Sequence, residues 1–348
     1  MSENTVLLKR DSSIDLLKTI AILCVILIHC AGSTMEGAVG TADWYASVFW
    51  GTVSRFAVPV FFMCSGALML RPGKELSIKR LWGKSILRLV LAMLFWAFCY
   101  KCWHLLAGGS FSLPALWQAV KEVLLFNQEF HLYYLHMILL VYAFLPVLRV
   151  ITAHADKKTL QYLLALWFLL GIVFPTLRPY WPMTLLSDIP LQWGINMTYA
   201  SIGYCFLGYY MTAYPPRRKG LFWLLYLGGL GLTAGLTIAF SLRGGALEQH
   251  FIGGMGVCVA LMAAGVFGLC SGFSARGRKV KALTHLSKAS FCIYLIHAFC
   301  LPYAQSFIAS GLLPAALAIP LAALAIFALC LGGYEILSRI PWVNKWLI

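Results

Sequence analysis

The sequence predicts an all-α polytopic membrane protein, a bundle of about ten transmembrane helices. Its 348 residues are 61% hydrophobic and only 11% charged, against roughly 25% charged in a typical soluble protein. The mean hydropathy of +0.81 agrees with this composition. Apolar runs of about 20 residues, the length that crosses a bilayer as a helix, recur along the whole chain.

These runs define ten spans, which we assign to a single transmembrane domain covering residues 1–348. We expect residues 14–33 to remain as the first span, because the small-residue cleavage site of a signal peptide does not follow this run. The predicted boundaries are 14–33, 45–70, 86–107, 131–150, 159–177, 196–214, 221–242, 251–272, 290–308 and 314–337.

The distribution of positive charge predicts the orientation of the bundle. Of the 27 Lys and Arg residues, 22 fall in alternate connections or at the helix ends beside them. This positive-inside pattern places both termini on the cytoplasmic side. Anionic membrane lipid is a sufficient partner for the net charge of +15, and no nucleic-acid partner is predicted. The 11 cysteines are odd in number and irregular in spacing, so we expect no disulfide framework.

The first span carries two ionisable residues within an apolar run, DLLKTIAILCVILIHC (residues 15–30). Lys18 and His29 are eleven residues apart, which puts them on one helix face about 16 Å from each other. Asp15 lies near the same face, where it can pair with Lys18. Snorkelling of Lys18 to lipid headgroups and a structural role for His29 at a helix end are the alternatives. The shared face favours a polar path through the bundle.

Arg55 lies inside the second apolar run, SRFAVPVFFMCSG (residues 54–66), toward the predicted outer side. An intramembrane Arg needs a carboxylate, a carbonyl or a water-filled cavity as partner, so it indicates a functional site unless its role is purely structural. Pro59, a turn later, leaves a backbone carbonyl that has to be satisfied within the protein.

The third span begins in a dense basic strip. Lys79, Arg80, Lys84 and Arg88 recur at helical intervals and would line one side of the entering helix. Positive-inside charge alone explains such a strip. The same residues also suit a nucleotide or pyrophosphate group, which Lys binds as a point charge and Arg as a bidentate fork.

Histidines mark the fourth and ninth spans. Glu129 and His131 stand at the predicted outer end of the fourth span, and a carboxylate beside an imidazole can orient and charge it. His297 lies two turns inside the ninth span, in the predicted inner half of the membrane. A structural His, interfacial or buried, is the alternative in each case.

Several function classes lack their signatures in this sequence. It contains no GxxxxGK[ST], GxGxxG, HExxH or GxSxG pattern. The missing patterns argue against an ATP-driven transporter core, a dinucleotide enzyme, a zinc protease and an α/β-hydrolase.

Taken in order, five segments resemble motifs of the integral-membrane acyltransferase family 3. "IDLLKTIAILCVILIHC" is similar to the family's opening motif, a basic residue, ten others and then His, and Lys18 and His29 fit it. "SRFAVPVFFMCSGALML" resembles the second-helix signature and carries Arg55. The other three segments are "KSILRLVLAMLFW", "HLYYLHMILLVYAFLPVLR" and "SKASFCIYLIHAF". Ser85 stands where the family usually has the first of two arginines, and Tyr133 stands in place of a Trp.

The resemblance implies a membrane O-acyltransferase of the short, stand-alone type, similar to the O-acetyltransferase of the enterobacterial common antigen. It implies acetyl-CoA or another acyl-CoA as the cytoplasmic co-substrate, a hydroxyl of an extracytoplasmic glycan or glycolipid as the acceptor, and no metal. It also implies a multi-pass protein of the bacterial cytoplasmic (inner) membrane. The sequence is compatible with a monomer or an oligomer.

The resemblance also implies roles for individual residues. His29 would be a general base toward the acceptor hydroxyl or would carry the acyl group transiently. Arg55 would stabilise developing oxyanion charge or bind the acceptor, while Glu129 and His131 would orient the imidazole or the acceptor. The donor side would comprise Lys18, Lys84 and Arg88, which hold the CoA phosphates, and His297, which supports the pocket.

Two other classes of function stay open at this point. A transporter of a small molecule or lipid-linked intermediate would use the same polar path, but it would not turn over acetyl-CoA. A structural or sensory membrane protein would depend on neither His29 nor Arg55 for any turnover.

Overall fold

The computed structural model describes residues 11–73, 76–215 and 217–348. Residues 1–10, with the predicted cytoplasmic N-terminus, and the connecting residues Lys74, Glu75 and Pro216 lie outside the described part. The structure is 79% helical, and the described residues form no β-strand. The predicted all-α class is confirmed.

Nine helical segments of the described chain are long and apolar enough to cross a membrane. The sixth predicted span corresponds to a further helix, α8, which has 17 residues. The helices are α1 (Ser12–Met35), α2 (Ala42–Val53), α3 (Ala57–Met69), α4 (Ile78–Ala107), α5 (Leu113–Leu124), α6 (Phe130–His154), α7 (Lys157–Leu177), α8 (Met197–Ala213), α9 (Lys219–Gly244), α10 (Val257–Cys270), α11 (Arg278–Ala309), α12 (Ala315–Leu337) and α13 (Pro341–Trp346). Helices α2 and α3 together form one of the nine segments.

Two helices begin earlier than hydropathy predicts. Helix α4 begins at Ile78 rather than residue 86, and α11 begins at Arg278 rather than residue 290. Both extensions are basic, and the Ser77 hydroxyl caps the first by accepting a hydrogen bond from the Arg80 N–H at 3.3 Å. A helix satisfies its backbone hydrogen bonds internally whether its side chains face lipid or water. Hydropathy therefore marks the lipid-embedded part of these helices and misses their polar ends.

Helix α1 lies at the centre of the bundle, where it packs against α2, α3, α11 and α12. Its buried face includes Ala21, Ile22 and Ile26, each with 0% of its surface exposed. Because neighbours surround it, the polar residues of α1 face other helices and internal cavities rather than lipid.

Helices α3 and α8 approach each other closely through two glycines. A Cβ atom on Gly66 would overlap the backbone carbonyl of Cys205, and one on Gly208 would overlap that of Met63. Small residues allow this kind of backbone approach, a main means of packing helices within membranes. The contact fixes the position of α3 and of the chain that leads into it.

Helix α5 is amphipathic and exposes Leu113, Trp117 and Leu124. The Lys101 ammonium of α4 lies 2.6 Å from Glu122 Oε2 of α5. Hydrogen bonds from Lys101 and Gln118 lower the pKa of the Glu122 carboxyl. An amphipathic helix tied in this way to the end of a membrane span suits the membrane interface.

Candidate active site

Two cavities within the bundle share His29 as part of their walls. The first has a volume of about 560 Å³ and the second about 500 Å³. We name them by the charged residues of those walls: the basic cavity contains Lys18, Arg55, Lys84, Arg88, Lys288 and Lys345, and the acidic cavity contains Glu36 and Glu129. His29 therefore stands at the boundary between a positively charged and a negatively charged compartment.

One stripe of α1 runs along both cavities. Its residues follow one another at spacings of three, four or seven, with some adjacent pairs, and such spacings keep side chains on one face of a helix. The stripe consists of Lys18, Val25, Ile28 and His29 in the basic cavity and of His29, Gly32, Ser33 and Glu36 in the acidic cavity. The predicted common face of Lys18 and His29 is confirmed.

The basic cavity brings together six of the eight residues that the sequence singles out as site residues. These are Lys18, His29, Arg55, Lys84, Arg88 and His131. Lys288 and Lys345 add two positive charges, and among the described residues no Asp or Glu lines this cavity. A concentration of positive charge in a partly enclosed cavity attracts anionic ligands.

Arg55 reaches the basic cavity from a break between α2 and α3. Residues 54–56 form turns, in which the Arg55 N–H donates to the Thr52 carbonyl at 3.1 Å. Pro59 has no N–H to donate to the Arg55 carbonyl, which favours an interruption at this point. The Nε atom of Arg55 is buried and has no hydrogen-bond partner in the described structure. The break thus leaves the guanidinium with unused donor capacity beside the cavity.

Helix α4 supplies Lys84 and Arg88 from its first turns, where Leu81–Ile86 is π-helical. Arg88 donates a hydrogen bond to the carbonyl of Ile348, and its Cζ atom lies 5.9 Å from the centre of the Phe291 ring. The Trp96 indole N–H donates to the Leu347 carbonyl at 3.0 Å. These contacts hold residues 347 and 348 along α4, and α13 just before them brings Lys345 to the cavity.

Three histidine rings form a cluster at His29. The ring of His297 stacks on that of His29 with centroids 5.3 Å apart and lies 5.2 Å from that of His131. His131 and His297 are buried, with 1% and 0% of their surfaces exposed. The Nδ1–H of His297 donates to the Tyr294 carbonyl at 2.7 Å, which orients its ring against His29. No three His, Cys, Asp or Glu side chains of the described residues are arranged as metal ligands.

The position of His297 differs from the sequence expectation, which places it with the donor-binding residues. It contacts His29 and is absent from the described residues that line either cavity. Two features of α11 explain the difference. The helix begins at Arg278, so His297 lies about five turns into it, and the 3-10 turn His297–Cys300 interrupts it ahead of Pro302.

Glu129 also has a different partner from the one expected. Its Oε1 atom is 2.8 Å from Nε2 of His104, near the end of α4, rather than beside the imidazole of His29 or His131. Glu129 immediately precedes the 3-10 turn Phe130–Leu132, whereas His131 lies within that turn and is buried. Glu129 does line the acidic cavity, so its predicted contact with an acceptor stays a prediction.

The acidic cavity is bounded by α1, α4, α11 and the turn that begins α6. Phe130, with 58% of its surface exposed, packs edge-on against His29 with ring centroids 5.1 Å apart. Among the described residues no Lys or Arg lines this cavity. The other polar and aromatic residues of its wall are Ser33, Tyr100, Trp103, His104 and Gln305. The cavity offers hydrogen-bonding groups and aromatic faces to a second ligand at His29.

Sequence reasoning misses several lining residues. Glu36 does carry a signal, because it follows His29 by seven residues and so lies on the same face two turns later. Lys288 and Lys345 carry none, since they resemble the other basic residues of the predicted cytoplasmic connections. The packing of α4 and α11 against α1 is what brings three further residues into the same cavity wall as His29, namely Trp103, His104 and Gln305.

The arrangement allows an imidazole to act between two separate molecules. A polyanion in the basic cavity and a less charged molecule in the acidic cavity would both reach His29. The acyltransferase domain of acyltransferase family 3 matches residues 11–335, a range that includes every lining residue of the two cavities except Lys345. No curated protein and no solved structure matches the chain. The chain belongs to acyltransferase family 3 and is a multi-pass membrane acyltransferase.

Proposed function

We propose that the protein is an O-acetyltransferase of the stand-alone type in the bacterial cytoplasmic membrane. It would transfer an acetyl group from cytoplasmic acetyl-CoA to a hydroxyl of a glycan or glycolipid on the other side of the membrane. The observation that carries this proposal is the position of His29, which lines two cavities of opposite charge. One imidazole would thereby serve two substrates that reach it from opposite sides of the membrane.

The basic cavity supports a CoA-type donor. CoA carries its negative charge on phosphates at one end and its thioester at the other, joined by a long neutral arm. Lys18, Lys84 and Arg88 would hold the phosphates, with Lys288 and Lys345 completing the site. Lys18 and His29 are separated by about 16 Å along α1, so a ligand bound at both needs such an extended arm.

In direct transfer, His29 accepts the proton of the acceptor hydroxyl as its oxygen attacks the thioester carbonyl. The new O–C bond forms, the C–S bond breaks, and the proton passes from the imidazole to the departing CoA sulfur, which leaves as a thiol. If His29 instead carries the acetyl group, an N–C bond forms as the C–S bond breaks. As it does so, the proton of the other ring nitrogen passes to the CoA sulfur, which leaves as a thiol. The acceptor oxygen then attacks the acetyl group, the O–C bond forms as the N–C bond breaks, and the hydroxyl proton passes to the imidazole.

Other side chains of the cluster would support either route. Arg55 lines the same cavity as His29 and would stabilise the negative charge that develops on the thioester oxygen. The hydrogen bond from His297 to the Tyr294 carbonyl fixes a ring that stacks on His29, so His297 is a positioning residue for the imidazole. The ring of His131 lies against that of His297 and also lines the basic cavity. His131 would therefore limit the space that the reacting groups can occupy on the basic side of His29.

The His29→Ala variant tests the proposal. We expect its rate of acetyl transfer in proteoliposomes to fall by about 10²-fold or more, the usual loss when a general base is removed. Binding of acetyl-CoA should persist, because the basic residues are intact. The matched control is His154→Ala, which removes an exposed imidazole at the end of α6, and it should retain the parent rate. Parent activity in the His29→Ala variant would refute the assignment.

A further inference from the structure

The two cavities divide the charged residues of the site by sign. The basic cavity has six Lys and Arg side chains and, within the described residues, no carboxylate. The acidic cavity has two carboxylates and, again within the described residues, no Lys or Arg. Of the described residues in its wall, the one basic group other than His29 is His104, whose Nε2 lies 2.8 Å from Oε1 of Glu129. An anion that enters the acidic cavity therefore meets two carboxylates and, among the described residues, no Lys or Arg side chain.

We propose that the acidic cavity is the acceptor subsite and that it takes an uncharged sugar ring, excluding sugars that carry a carboxylate or phosphate beside the reacting hydroxyl. This inference rests on the proposed acetyl transfer and adds the class of acceptor and the residues that select it. Burying an anion without a compensating partner is costly, whereas neutral hydroxyls find hydrogen-bond acceptors in carboxylates.

The walls of the cavity have the groups that an uncharged sugar requires. Glu36 and Gln305 have no side-chain hydrogen-bond partner in the described structure, so the carboxylate can accept from hydroxyls and the amide can both donate and accept. Trp103 and Phe130 provide apolar faces, and Phe130 is mostly exposed although it contacts the His29 ring. A sugar ring packed against Phe130 would have its hydroxyls next to His29.

The same division of charge keeps the donor in its own cavity. The phosphates of CoA are attracted to the basic cavity and repelled by Glu36 and Glu129 beyond His29. The acetyl end of the donor is uncharged, so it can reach His29, where the two cavities meet, without repulsion from Glu36 and Glu129. The charges that select the acceptor thus also limit how far the donor penetrates.

A panel of alkyl glycosides, used below their micellar concentrations with the purified protein in lipid nanodiscs, tests this inference. The pair to compare is octyl β-D-glucoside and octyl β-D-glucuronide, which differ by one carboxylate. We expect the kcat/KM for acetylation of the glucoside to be at least about tenfold above that of the glucuronide. The reason is that Glu36 and Glu129 repel the carboxylate of the glucuronide. Equal or preferred acetylation of the glucuronide would overturn the inference.

Two variants separate selection by charge from general damage. Glu36→Gln should raise the relative kcat/KM for the glucuronide several-fold and leave the KM for acetyl-CoA unchanged, because Glu36 lies outside the donor cavity. Asp188→Asn, which removes an exposed carboxylate from the connection before α8, should change neither value. An unchanged preference in Glu36→Gln would show that this carboxylate does not select the acceptor.

The panel also distinguishes this inference from the function on which it rests. Hydrolysis of acetyl-CoA that depends on His29, with neither glycoside acetylated, would overturn the sugar subsite and leave the donor half of the proposed function standing. Absence of any turnover of acetyl-CoA, with or without acceptor, would overturn the proposed function itself.

Discussion

The six positive side chains of the basic cavity lie together, and three of them, Lys18, Arg55 and Arg88, are half-buried within the bundle, where a charge is expensive. An unpaired charge in an apolar environment costs several kcal/mol or changes its protonation state. Arg55 and Arg88 each keep a buried Nε atom without a hydrogen-bond partner in the described structure. A cavity lined by such groups is stabilised by water or by an anion, so the charges are more readily explained by a ligand than by packing.

The donor site can be tested at the residue scale with Lys84→Gln/Arg88→Gln. Each contact between a charged side chain and a phosphate is worth about 1 kcal/mol or more, so the loss of two such contacts should raise the KM for acetyl-CoA by about 30-fold or more. The kcat at saturating donor should change little, since neither residue contacts the reacting atoms. Steady-state kinetics at fixed acceptor concentration measures both quantities.

The matched control for this variant is Lys79→Gln/Arg80→Gln. Those two residues belong to the same basic strip but do not line either cavity. Their removal takes away the same net charge and should leave the KM unchanged. If both double variants raise the KM equally, the effect is one of general surface charge and the donor site is elsewhere.

At the scale of elements, interruptions of the long helices place site residues. The break between α2 and α3 holds Arg55, the π-helical start of α4 includes Lys84, and the 3-10 turn in α11 begins at His297. Irregular backbone inside a membrane protein is tolerated where it is buried in protein or lines a polar cavity. These interruptions are therefore structural consequences of building a polar site within a bundle of apolar helices.

The contact between α3 and α8 holds one of these interruptions in place. Gly208→Ala should destabilise the protein by about 1–3 kcal/mol, because the added methyl group overlaps backbone that cannot move independently. Thermal unfolding in detergent should show the loss. Gly228→Ala on α9 is the control, since a Cβ there meets no atom within 4 Å. Equal melting temperatures for the parent and Gly208→Ala would contradict the close approach.

The sequence alone predicts those parts of the site that depend on one helix or on hydropathy. Lys18 and His29 share a face because eleven residues is close to three turns of α1, whatever surrounds that helix. The position of His297 is not predictable in this way, because it depends on an early helix start and on an interruption. The partner of Glu129 depends on where the end of α4 lies, and Lys345 reaches its cavity through α13. Contacts between distant segments leave no periodic signal.

At the scale of the whole molecule, three helices run from one cavity to the other. Helices α1, α4 and α11 each contribute residues to the basic cavity and, further along, to the acidic cavity. The two cavities share His29, so the bundle contains a nearly continuous polar path with an imidazole between its halves. The positive-inside pattern predicts that the basic end faces the cytoplasm, which is where an acyl-CoA donor is available.

The central claim is that the acetyl group passes from one side of the membrane to the other at His29. The most direct measurement uses proteoliposomes of known orientation, with labelled acetyl-CoA and the glycoside acceptor confined to opposite sides. We expect acetylated glycoside when the donor is on the side of Lys84 and the acceptor on the side of Glu36, and none with His29→Ala or with the two substrates exchanged. Transfer only when both substrates share one side would contradict the account.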